Sequence, residues 1–341
     1  MTKYEVVTIG DAFQDLFVFS DDFKVLRDPS FKSGKSLSFD YGAKIDVENI
    51  EYHSGGSAIN AAICFSKIGF ESAIISFIGS DDSAEKIISQ IETAGISSEL
   101  LKKEDEPTNT AVILSHDGDR TILAYHGKRD FNSLALAKNL KTNWFYLSPI
   151  GKESANLENK IIQNIAKNGS GLVWNPGPLQ IKQGAKANRH LLHLCNILIL
   201  NREEAISFSG CGQSKIEDCL KDLHQAGAKL VVVTDGKNGA KEFDGEVFYQ
   251  IDSSPDERVD ATGAGDAFAS SFASRIISEC DIIKPQKFMP NRETISEALK
   301  WGIVNSGSVV GQVGANSGLL SKSEIIDRAE KLVKLEAKVY S

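Results

Sequence analysis

Apolar residues along this chain follow two alternating rhythms. Short continuous runs suit strands buried on both faces: Tyr4–Gly10 (YEVVTIG), Ala73–Ile78, Trp144–Leu147, Gly171–Trp174, Ile197–Leu200 and Lys229–Thr234 (KLVVVT). Between them lie segments with apolar positions at helical spacing. These are His53–Gly69, Ser83–Ala94 closed by Gly95, Ala155–Lys167, and a stretch around Ser214–Ala226 closed by Gly227. Past Asp266 the helical rhythm takes over, with helices expected over Ala267–Glu279 and Arg292–Val310 and a charged helix at the C-terminus. Strands alternating with helices predict an α/β fold, a doubly wound and mainly parallel sheet flanked by helices.

Some stretches depart from that rhythm. Leu16–Phe19 is apolar, Ser20–Ser38 is polar and reads as an extended loop, and Tyr41–Tyr52 partly alternates through Ile45, Val47 and Ile50. Asn109–Leu114 and Thr121–Tyr125 flank His116-Asp117-Gly118-Asp119, a hairpin turn. Together these pieces predict a small sheet beside the main one. A second Asp-Gly pair, Asp244-Gly245, joins two more exposed strands. No tandem repeat or linker divides residues 1–341, which read as one domain.

The net charge of −8 argues against nucleic acid or an anionic membrane as the main partner. Neither a signal peptide nor an apolar stretch long enough to span a bilayer is visible, so a cytoplasmic protein is expected. Cys64, Cys195, Cys211, Cys219 and Cys280 are scattered without a CxxC pair, and read as reduced thiols. His190, His193 and Cys195 (HLLHLC) border an apolar run, which favours a helix end and strand start over metal ligands.

The chemistry concentrates in Val259–Phe268 (VDATGAGDAF), a loop of small residues opening into a helix. The unpaired amides of a helix N-terminus attract phosphate. Asp266 beside them either supports the helix start or takes a proton from a hydroxyl attacking that phosphate. Common nucleotide fingerprints fail. Ser33–Ser36 (SGKS) has Pro29 where a P-loop needs glycine, and Phe268 and Lys215 stand where dinucleotide-binding glycine patterns need their third glycine. The kinase pair HRD and DFG does not occur.

Four motifs in order resemble the ribokinase-like (PfkB) family of carbohydrate and nucleoside kinases. GGSAIN at Gly55–Asn60 is similar to its first signature, and DATGAGDAF at Asp260–Phe268 to its second, with Ala261 replacing a Thr. Asn201-Arg-Glu-Glu204 is similar to its NxxE motif, and Thr234-Asp-Gly236-Lys-Asn-Gly239 to its TxGxxG loop. The resemblance implies Asp266 as catalytic base and the Gly263, Ala264 and Gly265 amides as an anion hole. Asp15, Gly55, Gly56 and Asn60 would bind the acceptor, and Thr234, Gly236 and Gly239 would bind ATP. Asn201 and Glu204 would position Mg²⁺ and phosphate through water. Asn201 and Glu204 also suit a plain helix cap, and Gly236 and Gly239 plain turns. Asp260, with the backbone around Thr262 and Gly314, is the place for a monovalent cation such as K⁺.

Leu16–Tyr52 and Asn109–His126 correspond to the family's lid, which would exclude water and offer edges for pairing two subunits into a homodimer. The expected activity is ATP-dependent phosphorylation of a sugar hydroxyl, of the ribokinase or fructokinase type. The alternatives are a nucleoside acceptor and a non-catalytic sugar sensor on the same fold.

Overall fold

Strand β1 (Lys3–Ile9) sets the plan: Val6 joins an apolar cluster on one side of a sheet, Val7 and Ile9 a cluster on the other. The chain then leaves that sheet for β2 (Phe13–Phe19), a hairpin of β3 (Lys24–Arg27) and β4 (Lys35–Ser38), and β5 (Asn49–Gly55). Helix α1 (Ser57–Ile68) returns it to β6 (Ser72–Ile75), followed by β7 (Phe77–Ile78), α2 (Asp82–Thr93) and β8 (Lys102–Lys103). A second excursion forms β9 (Asn109–His116) and β10 (Asp119–Tyr125) before β11 (Lys141–Leu147) rejoins. Alternation continues through α3 (Ala155–Asn168), β12 (Gly171–Trp174), α4 (Pro178–Ala187), α5 (Arg189–Leu192) and β13 (Ile197–Asn201). Next come α6 (Arg202–Ser209), α7 (Ile216–Gln225), β14 (Leu230–Thr234), β15 (Ala240–Phe243) and β16 (Phe248–Ile251). Helices α8 (Ala264–Glu279), α9 (Arg292–Val310) and α10 (Lys322–Lys331), then β17 (Lys338–Tyr340), complete the chain. The computed structural model describes residues 3–31, 33–116, 119–134, 136, 140–151, 154–212, 215–279 and 288–341.

The main sheet runs β17-β16-β15-β14-β13-β12-β11-β1-β6, parallel from β6 to β14 and antiparallel from β14 to β17. Helices α1, α8, α9 and α10 bury Phe65, Phe272, Leu299 and Ile325 on one face. Helices α3, α5, α6 and α7 bury Ile161, Leu191, Phe208 and Leu223 on the other. The doubly wound arrangement follows from strands apolar on both faces, which only helices on both sides can cover. A second sheet, β10-β9-β2-β5, has its own small core of Phe17, Ala111 and Ile113. No helix among the described residues is long and apolar enough to cross a membrane.

Several expectations need correction. The polar stretch 20–38 contains β3 and β4, and β3 is exposed at every position, so burial imprints no pattern on it. Strand structure in 41–52 begins only at Asn49; residues 43–47 cross as a loop, held by Ser20 Oγ donating to the Asp46 carbonyl at 2.8 Å. Helix α4 was hidden by Pro178, which stands at its start, and by the kink at Gly184. Cys211 and Cys219 are disulfide-bonded rather than free, because the turn between α6 and α7 sets their Cα atoms 5.6 Å apart. Cys64 and Cys195 are buried free thiols, and Cys280 lies outside the described residues. So do Asp117 and Gly118, although His116 and Asp119 pair across that turn. His190 lies within α5, and Cys195 just ahead of β13.

One buried group yields a test of this core. Glu242 in β15 is fully buried, and neither carboxylate oxygen has a hydrogen-bond partner among the described residues. Burial, reinforced by Asp244, holds its carboxyl well above the ordinary value of 4.5. The folded chain therefore keeps a proton that the unfolded chain releases, so this residue's contribution weakens as pH rises above 4.5. Glu242→Gln should stabilise the fold by on the order of 1–3 kcal/mol at about pH 8 and by less at about pH 5. Urea unfolding at both pH values checks this, and an equal effect at the two would refute it.

Candidate active site

The motif residues meet at the carboxyl ends of the parallel strands, where open α/β sheets bind ligands. Asn201 ends β13 and Thr234 ends β14, and the two are register partners. Asn201 also caps α6: its Oδ1 accepts from the Glu204 amide at 2.9 Å, and Glu204 Oε2 accepts from the Asn201 amide at 2.9 Å. The cap reading of this pair is thus realised. It leaves Glu204 facing the site, where burial first, with Asp266 and Glu203 adding, raises its carboxyl above its ordinary value.

Beside them a cavity of about 270 Å³ runs from Thr234, Gly236 and Gly239 to Ala264 and Gly265, walled by Phe268, Ile303 and Val310. Its apolar wall and glycine edge suit a flat heterocycle continuing into phosphates. The far end is the start of α8. Gly263 there has φ +76°, and a side chain on it would collide with the Ala315 carbonyl, so only glycine allows this approach. A Cβ on Gly265 would meet nothing within 4 Å, and the residue lines the cavity.

Asp266 sits in the first turn of α8 and is tied to α1. Asn60 Nδ2 donates to its Oδ2 at 2.8 Å, and Asn60 Oδ1 lies 3.4 Å from Asn316 Nδ2, which also donates to the Ser54 carbonyl at 2.8 Å. The order of donors fixes which way the Asn60 amide points. Burial raises the Asp266 carboxyl, while hydrogen bonds from Asn60 and Ser57 oppose the rise. Asn60, expected around the acceptor, here also orients the candidate base.

On the other side lies Asp15 in β2, buried, its carboxyl pushed up to about 7 by desolvation first and then by Asp266 and Asp260. A side chain on Gly55 would collide with the Asp15 carboxylate, and one on Gly56 with the Asp11 carbonyl. The GG pair thus lets the Asp15 carboxylate and the backbone after β1 approach closely. The sequence alone places Asp11 and Asp15 together in the loop after the first strand, where a ligand at the carboxyl ends of the strands is met; Asp11 does lie between β1 and β2, whereas Asp15 is inside β2. Asp11 is half-buried, its carboxyl pushed up to about 6 by desolvation, with His126, Asn109 and Arg129 pulling the other way. Asn109, His126, Arg129 and Asn316 carried no local signal, since each acts across a distant pairing.

Asp260 opens the small-residue loop and braces it. Its Oδ1 accepts from the Thr262 amide at 3.0 Å and from Thr262 Oγ1 at 2.8 Å, and its Oδ2 lies 3.4 Å from the Gly314 amide. Arg120 of β10 brings its Nε to 3.8 Å from Oδ1. A guanidinium therefore already stands at the carboxylate expected to hold K⁺, and the residues present do not suit a second cation there. For Mg²⁺ the picture differs. No group of three His, Cys, Asp or Glu among the described residues could cage a metal. One carboxylate, Glu204, near enough to Asp266 for their charges to interact, does fit an ion that keeps most of its water.

Comparison with known proteins bears on this geometry. The model of the pfkB family of carbohydrate kinases matches residues 6–322. An ATP-dependent 6-phosphofructokinase of Thermoanaerobacterium thermosaccharolyticum is 26% identical over 290 residues, covering 81% of this chain and 82% of that protein. A nucleoside kinase of Methanothermobacter thermautotrophicus is 26% identical over 234 residues, covering 67% and 73%. Among solved structures, a ribokinase from Giardia lamblia superposes with a TM-score of 0.77 at 22% identity, covering 97% of this chain and 99% of that one. Strand order, flanking helices and signature residues agree with the family match across nearly the whole chain: it is a member of the pfkB carbohydrate kinase family.

Proposed function

We propose that this protein transfers the γ-phosphoryl group of ATP to a hydroxyl of a small sugar, with Asp266 as general base. One observation carries the reading. A half-buried carboxylate, oriented by Asn60, stands at a helix N-terminus close enough to the buried Asp15 to raise its carboxyl, and in the same first turn Ala264 and Gly265 line a cavity edged by Thr234, Gly236 and Gly239. That is the order in-line transfer needs, with acceptor side, base and anion site in sequence.

Asp15 and Asp11 accept hydrogen bonds from acceptor hydroxyls and hold one of them toward Asp266. Asp266 takes the proton of that hydroxyl as its oxygen attacks; its raised pKa makes it a better base than a free aspartate. The amides of Gly263, Ala264 and Gly265 stabilise the charge on the transferring group. Glu204 would hold Mg²⁺ through water, and the ion would supply positive charge to offset that of the phosphates. The sheet of β10, β9, β2 and β5 acts as a lid that excludes water from the acceptor. Its exposed Tyr52, Ile122, Leu123 and Tyr125 support pairing of two copies through that sheet.

A nucleoside acceptor is the second reading. It is favoured by the rings of Phe13 and His126, which meet edge-on at 5.1 Å close to Asp11 and offer a surface for a base.

ADP release over pentoses, hexoses, sugar phosphates and nucleosides separates the acceptors. Silence across the panel, with calorimetry still detecting sugar, would move the protein to the sensor class. Asp266→Asn should lower kcat by about 10²–10⁴-fold while the acceptor Kd changes little; near-normal kcat would remove Asp266 as the base. Acceptor affinity, read by calorimetry, should tighten as pH rises through about 7, because the ionised Asp15 is the better acceptor of hydroxyl protons. Asp11 adds a weaker limb near 6. Asp15→Asn should erase the upper limb, and a dependence left intact in that variant would assign it to another group.

A further inference from the structure

Asp260 is the carboxylate that braces the anion-hole loop, and its charge has a cost. It is buried, and it contributes with Asp266 to the upward push on Asp15. Three acids thus crowd one end of a site that must admit a polyphosphate. Such a cluster needs a positive charge nearby, supplied either by a bound cation or by the chain.

The chain supplies one from an unexpected quarter. Arg120 lies on β10, at the outer edge of the second sheet and 140 positions before Asp260. Its Nε is buried, makes no hydrogen bond among the described residues, and lies 3.8 Å from Asp260 Oδ1. That oxygen is also the one bonded to Thr262, so the guanidinium reaches the atom that holds the loop. A buried donor with no hydrogen bond is costly to keep unless its charge is used. Its lateral partner on β9, Ser115, offers no counter-charge, which leaves Asp260 as its electrostatic target.

We propose that Arg120 is a built-in counter-cation of the anion-hole loop, so that turnover does not depend on a monovalent metal ion. Arg120 is a positioning residue: it touches neither acceptor nor phosphate, and acts through Asp260 on Thr262 and the Gly263–Gly265 amides. The inference rests on the kinase reading above, and also makes a claim about nucleotide binding that turnover does not enter.

The test uses the full chain in tetramethylammonium buffer with and without saturating KCl at constant ionic strength. It reads kcat/KM on the best acceptor and, separately, the Kd of MgADP. The unaltered protein should respond to K⁺ by less than about twofold in both readouts. Arg120→Ala should lose more than about tenfold in kcat/KM without K⁺ and regain most of it with K⁺ or Rb⁺, but not with Li⁺. Its MgADP affinity should likewise become K⁺-dependent. Arg120→Lys, which keeps the charge, should stay indifferent to K⁺. Strong K⁺ activation of the unaltered protein would overturn the proposal. So would an Arg120→Ala variant that is fully active without K⁺, or one that is folded yet beyond rescue. Should Arg120→Ala not fold, the K⁺ response of the unaltered protein and of Arg120→Lys decides. Should no acceptor turn over, the kinase reading fails, while the MgADP arm still decides the role of Arg120.

Discussion

The hydrogen bond from Asn60 Nδ2 to Asp266 Oδ2 joins residues 206 positions apart, and the geometry of the site hangs on it. For it to form, α1 and α8 must lie side by side on one face of the main sheet, with their N-termini level. The apolar cluster of Ala61, Phe65, Phe272 and Ala273 secures the first condition. Glycine supplies the second: Gly56 ahead of α1 and Gly263 ahead of α8 both take positive φ where a side chain would collide with backbone. Small residues at the helix starts are thus a packing requirement as much as a means of reaching phosphate.

The same closeness creates the electrostatic problem that shapes the rest of the site. Asp11, Asp15, Asp260 and Asp266 converge, and burial raises Asp11, Asp15 and Asp266. The chain answers with cations from the second sheet and the segment after it: His126 and Arg129 act on Asp11, and Arg120 reaches Asp260. Asp11, Asp260 and Asp266 come from loops and a helix of the main body and Asp15 from the second sheet, while the basic side chains come from the second sheet and the segment after it. The second sheet therefore carries charge compensation for the acids it packs against.

How legible this was depended on the range of each interaction. Runs such as Ile197–Leu200 and Leu230–Thr234 announced themselves because a parallel strand covered on both sides must be apolar throughout. The signature loops were legible because glycine and small residues have few other uses beside a helix start. Strands β3 and β4 were not, since exposed strands carry no burial pattern. Asn201 and Glu204 stayed ambiguous, because a capping box and a water-mediated metal site ask for the same side chains, and here the cap is formed. Arg120 and Asn316 left no trace in local sequence. Their partners arise only once distant strands have paired and the loop after α9 has folded back.

The chain of amides from Asn316 through Asn60 to Asp266 has a stereochemical consequence. Neither amide can turn over without breaking its neighbour's bond, so the donor that reaches Asp266 always arrives at Oδ2. The two carboxylate oxygens are thereby made inequivalent, because the Asn60 amide holds one of them in place while Ser57 adds a second bond to the group. A sugar presents several hydroxyls of nearly equal reactivity. In the transfer proposed above, a carboxylate held in one orientation would select among those hydroxyls by their direction of approach before any difference in their chemistry could act.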